Sequence, residues 1–183
     1  MNPSMGQQAT GASPASTTVR PEPVEGQVPL RVLDTNIVLD LWVFDDPASA
    51  PLRERLQGGQ TQWLATAAMR EELARVLDYP HIAKRLLARA MTADTVLAHF
   101  DRHARLQADA PKAPYVCKDA DDQKFIDLAV QHGAALHSKD AQVLCMKNRL
   151  ARCGVDLNPL VPQTPWDDPT TVRAELVEAL QEN

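Results

Sequence analysis

The sequence predicts an α/β fold built around a mainly parallel β-sheet. Short apolar runs alternate along the chain with longer segments of helical periodicity, and this order is typical of repeated βα units. No apolar run reaches the eighteen or so residues that a membrane helix needs, and the N-terminus lacks the pattern of a secretory signal. We therefore expect a cytoplasmic protein without a membrane partner. The 183 residues, of which 44% are apolar, suffice for one domain with a core.

The two ends of the chain differ in composition from the part between them. Residues 1–29 are rich in Pro, Ser, Thr, Gly and Gln, so we predict a disordered N-terminal tail. The segment TTVRPEPVEG at 17–26 returns as TTVRAELVEA at 170–179, with seven of ten positions identical. Both copies lie outside the apolar core, which indicates appended segments. We place one folded domain at residues 30–165 and a C-terminal tail with helical potential at 166–183.

Strands and helices are predicted in alternation within the central segment. The predicted strands are residues 30–33, 62–65, 134–137 and 155–157. The predicted helices are residues 49–56, 66–77, 82–90, 92–106, 121–132 and 141–152. Thr66 is suited to cap the second helix, and Gly133 and Gly154 are suited to end the last two.

Four acidic residues fall at informative places in this pattern. Asp34 follows the first predicted strand and Asp140 follows the third, at the sheet edge where parallel α/β folds place their ligands. Asp122 opens a helix and Glu72 lies within one. Carboxylates gathered in a low dielectric repel one another, so their assembly would be explained by bound Mg²⁺ or Mn²⁺.

Most of these acids also have an ordinary structural explanation. Helix capping accounts for Asp119, Asp121, Asp122 and Asp140. Glu71 and Glu72 could instead form an exposed helical face with Arg75. Asp34 is different, because an acid between a strand and the apolar run at 37–39 serves no ordinary packing purpose.

Over residues 31–162 the sequence resembles the PIN-domain nucleases, and among them the bacterial toxins of toxin–antitoxin pairs. The resemblance rests on four ordered blocks: VLDTN at 32–36, EL at 72–73 followed by Pro80, CKDADDQKF at 117–125, and SKD at 138–140. It implies a three-layer α/β/α fold and a ribonuclease that hydrolyses phosphodiester bonds with metal-activated water. The implied partners are RNA, a cognate antitoxin and a second copy of the chain.

The resemblance also implies roles for individual residues. The catalytic and metal-binding acids would be Asp34, Glu72, Asp122 and Asp140. Asn36 would orient the site, Ser138 would support it and Asp119 would be an auxiliary acid. The implied cofactor is Mg²⁺ or Mn²⁺.

Two other functions remain open at this point. An Mg²⁺-dependent aspartyl phosphotransferase also carries an Asp after its first strand, but it needs a second Asp where this chain has Asn36. A catalytically silent RNA- or partner-binding module with the same fold is the non-enzymatic alternative. A net charge of -5 argues against a broad basic face for nucleic acid.

Several other groups of residues are explained as well or better by a structural role than by a functional one. Basic residues at 139, 147, 149 and 152 could contact an RNA backbone or simply form a solvated face. His99 and His103 are more compatible with a solvent-facing helix than with a zinc site, because Phe100 stands where a zinc protease needs Glu. The three cysteines are expected to be small buried apolar groups.

Overall fold

The computed structural model describes residues 28–159. The two predicted tails therefore lie outside the described residues, apart from positions 28 and 29. Pro29 contacts the sheet, since its carbonyl accepts hydrogen bonds from the Gln62 backbone amide at 2.9 Å and from the Thr61 hydroxyl at 2.8 Å. None of the helices in this range is long and apolar enough to cross a membrane.

A four-stranded, fully parallel sheet forms the centre of the fold, as predicted. Its strands are β1 (Leu30–Leu33), β2 (Gln62–Thr66), β3 (Ala104–Gln107) and β4 (Ala135–His137), in the spatial order β3-β2-β1-β4. Because all strands run in one direction, their carboxyl ends share one edge. The segment predicted as a strand at 155–157 contributes a single parallel bridge, between Leu157 and Leu136.

The helices connect the strands and cover the sheet. They are α1 (Thr35–Leu39), α2 (Ala50–Gln57), α3 (Ala67–Leu77), α4 (Pro80–Ala88), α5 (Ala93–His103), α6 (Gln123–His132), α7 (Ala141–Leu144) and α8 (Lys147–Arg152). Thr66 caps α3 through its hydroxyl, and Gly133 ends α6 in the left-handed conformation at φ +57°, both as predicted. α6 packs on β1 and β4, α3 on β2, and α5 on β3. The α/β class predicted from the sequence is confirmed.

Two helical predictions were wrong in detail, and one helical segment was not predicted. The helix predicted at 92–106 ends at His103, and residues 104–107 form β3 instead. The helix predicted at 141–152 is broken at residues 145–146 into α7 and α8. The apolar run after Asp34 is helical, because α1 continues directly into the π-helical segment Asp40–Phe44.

Aromatic rings fill one part of the core. The Trp42 indole stacks on Trp63 at a centroid distance of 5.6 Å and on the imidazole of His99 at the same distance. His103 stacks on Trp42 as well, at 6.1 Å. Desolvation lowers the pKa of both histidines. These half-buried rings pack against the core, so the expected solvent-facing helix is only partly correct.

Polar groups buried in the sheet are also paired. Arg31 in β1 donates to the Thr61 hydroxyl at 3.0 Å, and its guanidinium lies 2.6 Å from Nε2 of His137 in β4. Burial lowers the pKa of His137 to about 3, so the imidazole is neutral and accepts from Arg31.

Of the three cysteines only Cys117 is buried, whereas Cys145 is exposed and Cys153 is intermediate. The expectation for the cysteines therefore holds for Cys117 alone.

Candidate active site: an acidic cluster at the carboxyl edge of the sheet

Asp34 lies at the point where β1 leaves the sheet. Its backbone amide donates to the carbonyl of His137 at 2.9 Å, which ties it to the end of β4. The side chain is buried, and its Oδ2 accepts hydrogen bonds from Asn36 Nδ2 at 2.7 Å and from Ser138 Oγ at 2.5 Å. Burial raises the pKa of the Asp34 carboxyl, and the hydrogen bonds from Ser138 and Asn36 oppose that rise.

Asn36 and Ser138 connect β1 to the loop after β4. The Ser138 hydroxyl donates to Asp34 while its oxygen accepts from the Asp140 backbone amide at 3.0 Å. Asn36 gives its amide to Asp34, and its Oδ1 accepts from the Lys139 backbone amide at 3.1 Å. The two residues expected to support the site therefore lie between the first and the last acid and fix their spacing.

Asn158 holds Ser138 in turn, and sequence analysis missed it. Its Oδ1 accepts from the Ser138 amide at 2.9 Å, and its Nδ2 donates to the Ser138 carbonyl at 2.7 Å. Asn158 has a φ of +49°, a conformation that Asn tolerates better than most residues. The Asn-Pro pair at 158–159 is a turn signal, but it carries no hint of this partner.

Asp122 is the least compensated acid in the cluster. It occupies the N-cap position of α6, yet its side chain makes no capping hydrogen bond. Its Oδ2 is buried and has no hydrogen-bond partner. Burial, followed by the negative charges of Asp34, Asp140 and Asp119, raises the pKa of Asp122 to about 7. The capping explanation therefore fails for this residue, and the acids lie near enough to act on one another.

Asp140 and Asp119 have local partners. Asp140 caps α7, since its Oδ1 accepts from the Gln142 amide at 2.6 Å. Asp119 is exposed, and its Oδ1 accepts from the Asp121 amide at 2.9 Å. The capping interpretation is thus correct for Asp140, although the charges of both acids still act on Asp122.

Glu72 approaches the cluster from α3, and two residues that sequence analysis missed hold its carboxylate. Thr35 donates its hydroxyl to Oε1 at 2.6 Å. The ammonium of Lys124, on the first turn of α6, forms an ion pair with Oε2. The alternative in which Glu72 forms an exposed face with Arg75 does not describe it, because the Glu72 side chain is only 16% exposed.

Comparison with known protein families identifies the family of this chain. The family model described as PIN domain matches residues 31–136, which is more than half of the chain. The chain belongs to the PIN-domain family. The matched range includes Asp34, Glu72 and Asp122 but stops before Ser138 and Asp140, so the assignment of those two residues rests on the SKD block and on their contacts. No curated protein matches the chain.

The basic residues near the last acid of this PIN domain are not equally available. The Lys139 ammonium pairs with Asp40 Oδ2 at 2.6 Å and with Asp46 Oδ2 at 2.9 Å. Both carboxylates raise the pKa of Lys139 by hydrogen bonding to its charged form. Lys139 is thus already neutralised by two acids, which weakens its expected role in contacting an RNA backbone. The side chains of Lys147, Arg149 and Arg152 on α8 are exposed.

The carboxylate oxygens of this PIN domain are of the kind that bind a hard divalent cation, although the described side chains are not arranged around one. In the described residues no group of three or more His, Cys, Asp or Glu side chains could hold a metal ion as they stand. The partnerless Oδ2 of Asp122 is nevertheless a buried carboxylate oxygen among other acids. Mg²⁺ and Mn²⁺ prefer such oxygen ligands and would remove the repulsion. The chemistry of these donor atoms therefore fits a hard divalent cation.

Proposed function

We propose that this PIN domain is an Mg²⁺- or Mn²⁺-dependent endoribonuclease. The observation that carries the proposal is the buried, unpartnered Oδ2 of Asp122, whose carboxyl is destabilised by Asp34, Asp140 and Asp119. A fold gains nothing from such a group unless a cation joins it. The nuclease-type family supports hydrolysis of phosphodiesters over other metal chemistry.

In this proposal Asp34, Asp122 and Asp140 are the metal-binding acids, and Glu72 completes the acidic site. Asn36 and Ser138 both donate to Oδ2 of Asp34 and thereby orient this carboxylate for an ion. Asp140 offers Oδ2, because Oδ1 caps α7. Asp119 adds negative charge from the rim of the site.

These acids and a bound divalent ion would together support hydrolysis of a phosphodiester bond. A divalent ion supplies an activated water and neutralises charge on the scissile phosphate. The acids would hold the ion in place. Without metal the pKa of the Asp122 carboxyl is about 7, and because a carboxyl must lose its proton to bind a cation, metal binding near neutral pH would release a proton from Asp122. Three of the described histidines have other partners: the His137 imidazole contacts Arg31, and His99 and His103 stack on Trp42. We therefore expect attack by water, with 5′-phosphate and 3′-hydroxyl products.

The biological role is proposed from the sequence resemblance alone. We propose that the chain is the toxin of a toxin–antitoxin pair, acting on RNA in the cytoplasm, silenced by a cognate antitoxin and able to form a homodimer. The folded domain is proposed to span residues 30–165, flanked by appended segments. Co-expression with the neighbouring reading frame would test this role, since rescue of growth requires that the partner bind this chain.

The enzymatic proposal is tested with purified protein and end-labelled single-stranded RNA in Mg²⁺, Mn²⁺ or chelator. Wild type should cleave only with metal, and Asp34→Asn should lose at least about a hundredfold in rate while its melting temperature stays close to wild type. Asp121→Asn is the matched control, because the Asp121 side chain is exposed and outside the cluster. Metal-independent cleavage or an active Asp34→Asn would refute the proposal. A trapped phospho-enzyme would favour the phosphotransferase, and metal binding without cleavage of any RNA would favour the silent module.

A further inference from the structure

An ammonium group lies inside the acidic site of this PIN domain. The Lys124 side chain is only 25% exposed, and its Nζ contacts Oε2 of Glu72 and the backbone carbonyl of Asp121. The same Nζ lies 4.8 Å from the centre of the Phe125 ring. Three neighbours therefore hold this charge in place, and it is not a mobile surface lysine.

Lys124 and Thr35 together use both oxygens of Glu72. The Thr35 hydroxyl is donated to Oε1 and the Lys124 ammonium is paired with Oε2. An ion pair that is partly buried and also hydrogen-bonded is costly to break by removing one partner. A cation that took Glu72 as a ligand would meet the positive charge of Lys124 there and would have to compete with that ion pair.

The three aspartates of the cluster, unlike Glu72, have no cationic side chain paired with them in the described residues. Asp122 has a buried oxygen without any partner. Asp34 and Asp140 each use one oxygen in the hydrogen bonds described above. No lysine or arginine forms an ion pair with these three carboxylates within the described residues. The charge of Lys124 also acts on Asp122 and lowers its pKa, but burial and the neighbouring acids outweigh this effect. The site is thus divided into a half at Glu72 that has an ion pair and a half at the three aspartates that has none.

We infer that Lys124 is a built-in second cation, so that the site binds a single divalent ion at Asp34, Asp122 and Asp140 while Glu72 stays paired with Lys124. This inference rests on the proposed function. Two-metal nucleases place two ions about 3.5–4 Å apart, and a second ion needs further carboxylate oxygens beyond those that hold the first. Here Glu72 is the acid that could anchor a second ion, and the lysine already occupies it. Lys124 is therefore a positioning and charge-supplying residue.

The test is a count of bound Mn²⁺ per chain, made on the full chain by calorimetry and by electron paramagnetic resonance of free Mn²⁺. Wild type should bind one ion. Lys124→Met keeps the aliphatic stem but removes the charge and frees Glu72, so this variant should bind two. Lys124→Arg keeps the charge and should bind one. Lys147→Met is the control for losing a lysine elsewhere, since Lys147 is exposed on α8, and it should also bind one.

A second pair of variants tests the division of the acids without changing Lys124. Glu72→Gln should keep one ion with a Kd within about threefold of wild type, because in this inference Glu72 is not a ligand. Asp122→Asn should weaken the Kd by at least about tenfold, because the loss of a residue that only supports a metal ligand already costs about that much. This pair also keeps the inference testable if Lys124→Met does not fold, which circular dichroism would show.

The outcomes separate this inference from the proposed function. Two ions on wild type, one ion on a folded Lys124→Met, or a large loss of affinity in Glu72→Gln would each overturn the inference and leave a metal-dependent nuclease standing. No Mn²⁺ on wild type would overturn both. Metal binding as inferred, without cleavage of RNA, would overturn the proposed function and support the role of Lys124.

Discussion

Replacing Asp122 by Asn should stabilise the metal-free protein at neutral and alkaline pH while removing activity. In the folded chain the pKa of Asp122 is about 7, against an ordinary value of 3.8. An acid whose folded pKa is raised stabilises the fold while it is protonated. That stability is fully present below pH 3.8 and is lost as pH rises through about 7. Asn keeps the shape of the neutral acid and cannot lose a proton.

The size of the effect follows from the same values. At about 1.4 kcal/mol per pKa unit, the difference between 3.8 and about 7 corresponds to a ceiling of about 4 kcal/mol. Asp122 is only partly buried, and water screens its repulsion from the other acids, so we expect about 1–2 kcal/mol. For a chain of this size that is a rise of roughly 2–8 °C in melting temperature.

The assay is a set of thermal melts of wild type and Asp122→Asn between pH 4 and 8, in chelator and in Mn²⁺. The two proteins should melt together at pH 4 and diverge as pH approaches 8 in chelator. Mn²⁺ at a hundred times its Kd should stabilise wild type by about 2.7 kcal/mol and the mutant by much less. A mutant that is less stable than wild type at pH 8 in chelator, with an undiminished response to Mn²⁺, would show that these carboxylates do not form a metal site.

Three further predictions concern the supports of the site. Ser138→Ala should weaken Mn²⁺ binding about tenfold, measured by calorimetry, because Asp34 loses a donor and the Asp140 amide loses its acceptor; an unchanged Kd would contradict this. Asn158→Ala should lower the free energy of unfolding, measured in urea, by about 2 kcal/mol. Both hydrogen bonds to the Ser138 backbone are lost, and Ala disfavours a φ of +49°. A decrease below about 0.5 kcal/mol would count against this prediction. Deleting residues 1–27, which keeps the contact of Pro29 with the sheet, should leave melting temperature and cleavage rate nearly unchanged, and a drop of several degrees would show that this segment stabilises the domain.

The fold could be predicted where local pattern and tertiary pairing agree. β1, β2 and β4 are short apolar runs, and each was found within a residue of its observed bounds. β3 was missed because its sequence, Ala-Arg-Leu-Gln, is composed of good helix formers and continues the periodicity of α5. Its parallel pairing with β2 overrides that propensity. A weak local preference of this kind cannot reveal a partner forty residues away.

The π-helical segment illustrates a different limit. Residues 37–43 are apolar at all but one position, which does not distinguish a buried strand from a buried helix. In the structure both faces of this segment are covered, and every residue from Ile37 to Val43 is buried. Burial on all sides removes the polar stripe on which helical periodicity depends.

For the candidate site, motifs indicated the acids together with Asn36 and Ser138, but they did not indicate Thr35, Lys124 or Asn158. The positions of Asp34, Asn36 and Ser138 follow from the order of strand ends, since parallel strands bring these residues to one edge. Lys124 carries no such signal, because a lysine on the first turn of a helix is ordinarily a solvated group. Its pairing with Glu72 depends on how α3 and α6 approach each other, which is a property of the assembled sheet.

The unequal treatment of the acids is the strongest reason to regard this edge of the sheet as functional. Glu72 receives a hydroxyl and an ammonium, Asp34 receives two donors, and Asp140 receives a backbone amide. Asp122 receives none of these, although it is flanked by Lys124 and lies at a helix N-terminus where a capping bond is available. A fold selected only for stability would cap the helix with this carboxylate or replace it, gaining about 1 kcal/mol. Leaving one buried oxygen unsatisfied among like charges is a cost that binding a cation would remove, and the cation would then lie between Asp122 and the two anchored aspartates.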